Sequence, residues 1–348
     1  LRRQALLLRR IDGMTATATV AVLGVGSWGT ALGLLLARNG HVVRLWGHDP
    51  DEVAPLVRDR ENRRYLSGVL FPFGLSAGVD LADALAEVDL ALVAVPSHAY
   101  GATLARLRPH LPPCAGFAWA TKGLEHGGGR FLHEVTAEML GQDWPAAAIS
   151  GPSFAREVAL GLPTAVTVAA LDVAHARRVA ALLHGSNLRA YTSTDVIGVE
   201  LGGAIKNVLA IAAGIADGLG FGANARAALI TRGLAEMVRL GLAVGGQRET
   251  FMGLAGIGDL VLTCTDDQSR NRRFGLAIGR GETAEAAFAA IGQVVEGAAT
   301  AREALRLARQ HRVEMPITEQ VDRVLHHGQN PRQAVESLLA RDPKPEAL

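Results

Sequence analysis

From Val20 the chain alternates short apolar, β-branched runs with stretches whose apolar positions recur every three to four residues: 20–23, then 27–39, then 41–46. That rhythm predicts parallel βαβ units. Runs at 90–95, 116–120, 147–150 and 164–169 continue it, each ending in turn or polar residues. Loops at strand carboxyl ends are where open α/β sheets bind ligands. Past about Thr194 the pattern changes to Ala/Leu/Gly-rich segments with a 3.6-residue period, such as 205–216 and 225–243. The expected architecture is an α/β amino-terminal domain with a mostly parallel sheet over 14–193, followed by an all-α domain over 194–340. Neither a solenoid repeat nor a low-complexity linker interrupts the pattern, and the tail 341–348, with Pro343 and Pro345, is expected to be flexible.

A chain of 348 residues favours two hydrophobic cores. With 49% hydrophobic and 20% charged residues it has globular composition, and a formal net charge of +1 gives no field that argues for nucleic-acid or membrane partners. Any anion must therefore be bound by local groups. Cys114 and Cys264 lack a metal-ligand spacing, which argues against a disulfide framework or a zinc site, reads them as core or pocket-wall residues, and fits a reducing, cytoplasmic compartment. No uninterrupted apolar run reaches a membrane-spanning length. The Arg-bearing segment 1–13 reads as an upstream extension with Met14 as the start, and it is set aside from the fold reading.

Gly24-Val25-Gly26-Ser27-Trp28-Gly29 follows an apolar strand and opens an amphipathic helix. In that context the glycine pattern marks a dinucleotide loop of Rossmann type. Gly24 permits the turn, Gly26 lets the backbone approach a pyrophosphate, and Gly29 allows close helix packing. A glycine turn without ligand is the bland alternative. An acidic residue about 20 positions on would grip the ribose hydroxyls of NAD, and Asp49 has that count, though it stands three residues beyond Trp46. Arg44 and His48 would instead accommodate the 2′-phosphate of NADP. The cofactor reads as NAD(P)H, with the balance toward NADP.

Lysine is nearly absent: Lys122, Lys206 and Lys344 stand against 32 arginines in a Lys+Arg total of 35. A lysine kept inside the folded part suggests a role arginine cannot fill, because an ammonium can lose its proton when buried. Lys122 follows a buried-looking strand and is expected to contact substrate, the alternative being an exposed loop residue. Lys206 lies in an apolar helix just after Gly202 and Gly203 and reads as a general acid or base, rather than a side chain snorkelling to water. Asp259, after Gly256 and Gly258, could orient that lysine or accept a substrate hydroxyl, a helix N-cap being the alternative. Ser269, Arg270, Asn271, Arg272 and Arg273 offer donors suited to a phosphate, the alternative being a solvated loop. Val95-Pro96-Ser97-His98 would wall the nicotinamide pocket, an ordinary strand exit with Ser97 as helix cap being the alternative, and Gly151 and Ser153 close another strand with an exposed amide and hydroxyl, or as a simple turn. Val294-Val295-Glu296-Gly297 joins an apolar run to a lone acid, Glu296, which is expected to touch the cofactor, with a surface glutamate as the alternative.

These segments resemble the bacterial NAD(P)-dependent glycerol-3-phosphate dehydrogenase family: GVGSWGTAL from Gly24, VPSH from Val95, TKGLE from Thr121, SGPSFA from Ser150, LGGAIKN from Leu201, GFGANAR from Gly220, the run from Gly256 to Arg273, and QVVEG from Gln293. Eight segments in the family's order span about 20–339. The resemblance implies a Rossmann domain, a helical substrate domain and an active site between them. It further implies that Ser27, Trp28, His48, Lys122, Ala155, Arg270, Val294 and Glu296 contact the cofactor. Lys122, Gly151, Ser153, Asp259, Ser269, Arg270 and Asn271 would hold glycerol 3-phosphate or dihydroxyacetone phosphate, with Lys206 as proton donor and acceptor. A homodimer is implied too. A sister enzyme acting on another small hydroxy acid or hydroxyacyl thioester is the first rival, opposed by the Ser269–Arg273 cluster. A silent dinucleotide sensor is the second, and it would have no need of Lys206 and Asp259.

Overall fold

The computed structural model describes residues 17–342; the extension expected at 1–13, Met14, and Pro343 and Pro345 of the tail lie outside the described residues. Strands β1 (Thr19–Leu23), β2 (Val42–Trp46), β3 (Leu75–Gly78), β4 (Leu90–Val93), β5 (Gly116–Trp119), β6 (Ala146–Ser150), β7 (Thr164–Ala169) and β8 (Leu188–Ser193) form one sheet. Their order is β3-β2-β1-β4-β5-β6-β7-β8. Neighbours run parallel except β6 and β7. The central strand β1 is buried on both faces. Val20 and Val22 pack with Leu92 on one side, while Ala21 and Leu23 pack with Trp46 and Val93 on the other. This two-sided burial explains why the strands read as apolar runs without polar alternation.

The strand order reverses at β1, between β2 and β4, so the loop after Leu23 opens at the switch point where α/β sheets take ligands. The exit of β7 differs from the sequence expectation. Because β7 opposes β6, with Ser150 paired to Thr167 and Ala148 to Ala169, the loop after Ala169 leaves at the edge away from that site.

Beyond β8, Asp195 caps a helix, Val196–Gly218, by accepting from the Gly198 amide at 2.8 Å. All of its 23 residues except Ile197, Asp217 and Gly218 are buried. By length and composition it would suffice to cross a membrane, but 94% of its most apolar window is buried within the protein. A helix apolar all round is a core helix when others surround it. Here helices Gly222–Ala243, Asp259–Thr265, Arg270–Gly279 and Glu296–Gln310 do so. Leu201, Ile205, Leu209 and Ile211 have no exposed surface, and each such side chain contributes about 1.5–3 kcal/mol. Glu200 fastens this helix to the sheet by accepting from Trp119 Nε1 and the His133 amide, both at 3.1 Å. Cys264 joins the helical core, whereas Cys114, read as a core or wall residue, is exposed.

Candidate active site

A cleft of about 1070 Å³ begins at the loop after β1 and ends among residues of the helical half. Gly24 has φ +123°, and a side chain there would meet the Ala94 carbonyl oxygen at 2.7 Å. One on Gly29 would meet the Gly24 carbonyl at 2.0 Å, whereas beside Gly26 the space is open. Two glycines therefore fold the loop onto itself and the third leaves room for a ligand. Helix Ser27–Arg38 starts there with no side-chain cap and no acidic residue in its first turn. Its amides remain available to an anion, which fits a dinucleotide pyrophosphate. Trp28 also lines the cleft, and its Nε1 is buried without a hydrogen-bond partner.

Deeper in, two amines from opposite halves of the molecule meet one carboxylate. Lys122, just past β5, donates to Asp259 Oδ2 at 2.6 Å and to the Gly151 carbonyl at 3.1 Å. Lys206, midway along the Val196–Gly218 helix, donates to Asp259 Oδ1 at 2.9 Å and to Thr263 Oγ1 at 2.8 Å. Gly202 and Gly203 allow this convergence. A side chain on Gly202 would meet the Ala255 carbonyl at 2.2 Å, and one on Gly203 the Ser150 hydroxyl at 2.7 Å. The approach of Ala255 brings in the turn Leu254–Gly258 that delivers Asp259.

Asp259 is 1% exposed and Lys206 7%. Burial brings the Lys206 ammonium down to about 8, against the pull of Asp259 and with help from Lys122. Burial also works to raise the Asp259 carboxyl, but the two ammoniums outweigh it and hold the group below its ordinary range. Each ammonium has three N–H donors, and two are committed in each case. One N–H on each lysine is left, and both side chains line the cleft.

The far wall is helix Arg270–Gly279, whose start Ser269 caps by accepting from the Arg272 amide at 3.1 Å. Arg270 and Arg273 line the cleft, and Asn271 donates to Asn207 Oδ1 at 2.9 Å. Arg270 in turn donates to Gln293 Oε1 at 3.3 Å.

Two family models match in sequence order: NAD-dependent glycerol-3-phosphate dehydrogenase N-terminus over residues 19–176 and the C-terminus of the same enzyme over 195–336. A protein of Thioalkalivibrio sulfidiphilus named glycerol-3-phosphate dehydrogenase [NAD(P)+] is 61% identical over 94% of this chain and 98% of its own. One of that name from Pseudoalteromonas translucida is 55% identical over 95% and 99%. The chain belongs to the NAD-dependent glycerol-3-phosphate dehydrogenase family. The crystal structure of a glycerol-3-phosphate dehydrogenase from Coxiella burnetii matches this family member with a TM-score of 0.91, at 51% identity, over 93% of this chain and 99% of that one.

Of the residues singled out from sequence in this family member, Gly24, Gly26, Ser27, Trp28, His48 and Lys122 line the cleft. So do Ser153, Ala155, Lys206, Ser269, Arg270, Asn271, Val294 and Glu296. Gly29, Gly151 and Asp259 lie behind its wall; Gly151 and Asp259 bear on it through the lysines they bind. Other expectations need correction. Asp49 accepts the Asp51 amide at 2.9 Å as the cap of helix Pro50–Asp59 and does not reach the cleft. Arg44 donates to the Asp83 carbonyl at 3.0 Å and to that of Ala86, away from the cleft. Arg272 is turned back to Asp217 at 2.6 Å and to Asp267, so it is withdrawn from any phosphate. Ser97 makes no capping bond to its helix Ser97–Leu107; its hydroxyl donates to Glu296 Oε2 at 2.8 Å. Sequence reasoning missed Thr263, although it stands one helical turn beyond Asp259 and thus on the same face. It also missed Arg64 and Tyr65, which line the cleft but carry no local signal.

Proposed function

We infer that the chain catalyses reversible hydride transfer between NAD(P)H and dihydroxyacetone phosphate, giving glycerol 3-phosphate for phospholipid synthesis. The observation that carries this is the convergence of Lys122 and Lys206 on buried Asp259, in a cleft running from a dinucleotide loop to Arg270 and Asn271. The loop from Gly24 to Gly29, together with His48, Ala155, Val294 and Glu296, would hold the cofactor, whose nicotinamide would supply the hydride. Everything else falls to the chain. Lys206 uses its remaining N–H to polarise the substrate carbonyl and passes that proton to the oxygen as negative charge grows there. In the reverse direction the neutral amine takes the proton back. A group that titrates near 8 serves both directions close to neutral pH.

Lys122 and Ser153 fix the substrate's hydroxyl end, and Asp259 holds both amines in place. Ser269, Arg270 and Asn271 take the phosphate at the start of helix Arg270–Gly279. Binding energy from that remote group orients the reacting carbon, so a substrate lacking phosphate loses turnover as well as affinity. This phosphate grip favours the assignment over a sister enzyme acting on a plain hydroxy acid. The family resemblance carries the further expectation of a homodimer, which sedimentation of the purified chain tests, and the cysteine usage that of a cytoplasmic location.

The deciding experiment follows NADH and NADPH oxidation with dihydroxyacetone phosphate for wild type and Lys206→Ala. The expected result is a loss of about 10²- to 10⁴-fold in turnover with dinucleotide affinity nearly unchanged. Unchanged turnover refutes the role of Lys206. Absence of turnover in the wild type with either cofactor refutes the substrate assignment.

A further inference from the structure

At the outer end of the cleft, beside the carboxyl end of β2, Asn62 anchors a single turn, Arg63–Leu66, onto the dinucleotide loop. Its Nδ2 donates to the Val25 carbonyl and to Thr30 Oγ1, both at 2.8 Å, and its Oδ1 accepts the Tyr65 amide at 3.3 Å. Asn62 is 1% exposed, so this attachment is sheltered from competing water. The turn therefore holds Arg64 and Tyr65 at the cleft wall together with His48 and Glu52. Arg64 donates to Glu52 Oε1 at 2.8 Å, and the Tyr65 hydroxyl donates to the same oxygen at 3.2 Å. The guanidinium lies 5.3 Å from the Tyr65 ring centroid, and its side chain is 63% exposed.

The end of the second strand is where a Rossmann sheet meets the adenosine ribose. Three other charged groups near it are committed. Asp49 caps its own helix, Arg44 is bound to backbone carbonyls, and Arg106, which also lines the cleft, rests 5.0 Å over the Trp46 ring. Arg64 is different. Its partner is a single carboxylate oxygen already shared with Tyr65, and its exposure leaves it free to exchange that partner for a better one. A phosphate offers a guanidinium two acceptors in the fork geometry it prefers.

We propose that Arg64 reads the ribose 2′-position, leaving Glu52 to clamp the 2′-phosphate of NADP and remaining paired with Glu52 when NAD is bound. This rests on the dinucleotide reading of the cleft given above. Glu52 then acts as a placeholder that both presents the guanidinium and competes with the phosphate for it. Charged hydrogen bonds contribute about 1.5–3 kcal/mol, roughly 10- to 150-fold, and the solvent around Arg64 argues for the low end of that range.

Trp28 and Trp46 line the cleft, so quenching of tryptophan fluorescence reports dinucleotide binding without substrate or turnover. Dissociation constants for NADP+ and NAD+ are measured for wild type, Arg64→Ala and Glu52→Gln. Wild type is expected to bind NADP+ about tenfold more tightly than NAD+. Arg64→Ala should bring the ratio to about one by weakening NADP+ alone, and Glu52→Gln should widen it. The wild-type ratio should also shrink as salt rises from about 0.05 to about 0.5 M. An Arg64→Ala ratio equal to that of wild type, or an equal loss for both dinucleotides, overturns the proposal while leaving the function reading intact. Binding of neither dinucleotide by the wild type overturns both. Steady-state kinetics provides the second arm: the KM for NADPH rises about tenfold in Arg64→Ala, while kcat and the KM for NADH stay within about twofold.

Discussion

Ser97 and Glu296 lie 199 positions apart and share two hydrogen bonds across the cleft, from the Ser97 hydroxyl at 2.8 Å and from its amide at 3.3 Å. Burial raises the Glu296 carboxyl above its ordinary range, and the bonds from Ser97 work against that. The pair joins the rim of the sheet to the start of helix Glu296–Gln310, so it ties the two walls of the cleft together. Ser97→Ala leaves a buried carboxylate oxygen without its hydroxyl donor, at a cost of about 1–3 kcal/mol. We expect that loss in urea denaturation, accompanied by weaker dinucleotide binding. Unchanged stability and affinity would show that the contact contributes to neither.

Asp259→Asn removes the charge that holds both lysines. Breaking a buried ion pair typically costs about 3–5 kcal/mol, because the partner charges stay behind uncompensated. Since Asp259 raises the Lys206 pKa, its removal lowers it further from about 8. For carbonyl reduction, in which the proposed proton donor is the protonated Lys206 amine, the wild-type rate should fall as pH rises through about 8. In Asp259→Asn the fall should begin at lower pH, and turnover should drop at every pH. A pH–rate profile of the variant superimposable on that of the wild type, after scaling, would show that Asp259 does not tune the amine.

Arg270 and Arg272 make a contrasting pair. Successive helical residues turn by about 100°, so two positions apart they face nearly opposite ways. Arg270 lines the cleft, and Arg272 is held by Asp217 behind it. Arg270→Ala should raise the KM for the phosphorylated substrate and lower kcat, together reducing kcat/KM by about 10- to 150-fold. Arg272→Ala should instead reduce stability, with a smaller change in KM. If the two variants give the same kinetic defect, the division of roles between them is wrong.

The same pair shows what the sequence does and does not make legible. The βαβ rhythm, the glycine loop and the scarcity of lysine are local signals, and they led to β1, β2, the loop that opens the cleft and both amines. Which arginine of 270–273 is withdrawn depends on Asp217, which is 55 positions from Arg272, and no periodicity reports that. Strand β3, with the sequence Leu-Ser-Ala-Gly, is too short and too weakly apolar to stand out, and β8 is an edge strand with exposed Tyr191. The direction of β7 was also hidden, because an apolar run looks the same whichever way its neighbour lies. At Asp49 two signals in the sequence compete. An Asp immediately before a Pro is a helix-start signal, and that local rule outweighed the count from the glycine loop.

Glu236 supplies a test of stability that is independent of the active site. It is 2% exposed and serves as a remote cap for helix Pro316–His326, accepting from the Ile317 amide at 2.5 Å and from the Thr318 amide and hydroxyl at 3.2 Å. Burial pushes its carboxyl up to about 7 from an ordinary 4.5, with those three bonds opposing the rise. Between these values the folded state binds the proton more tightly than the unfolded chain. Stability therefore falls as pH rises through the window: the contribution is fully present below about 4.5 and lost above about 7. Its size is on the order of 3 kcal/mol. Glu236→Gln cannot titrate, so its capping defect is independent of pH. Urea denaturation of both proteins at several pH values should show wild type losing stability relative to the variant from acid to neutral pH. Parallel stability curves across that window would mean that the Glu236 carboxyl is already ionised in the folded protein at the acid end.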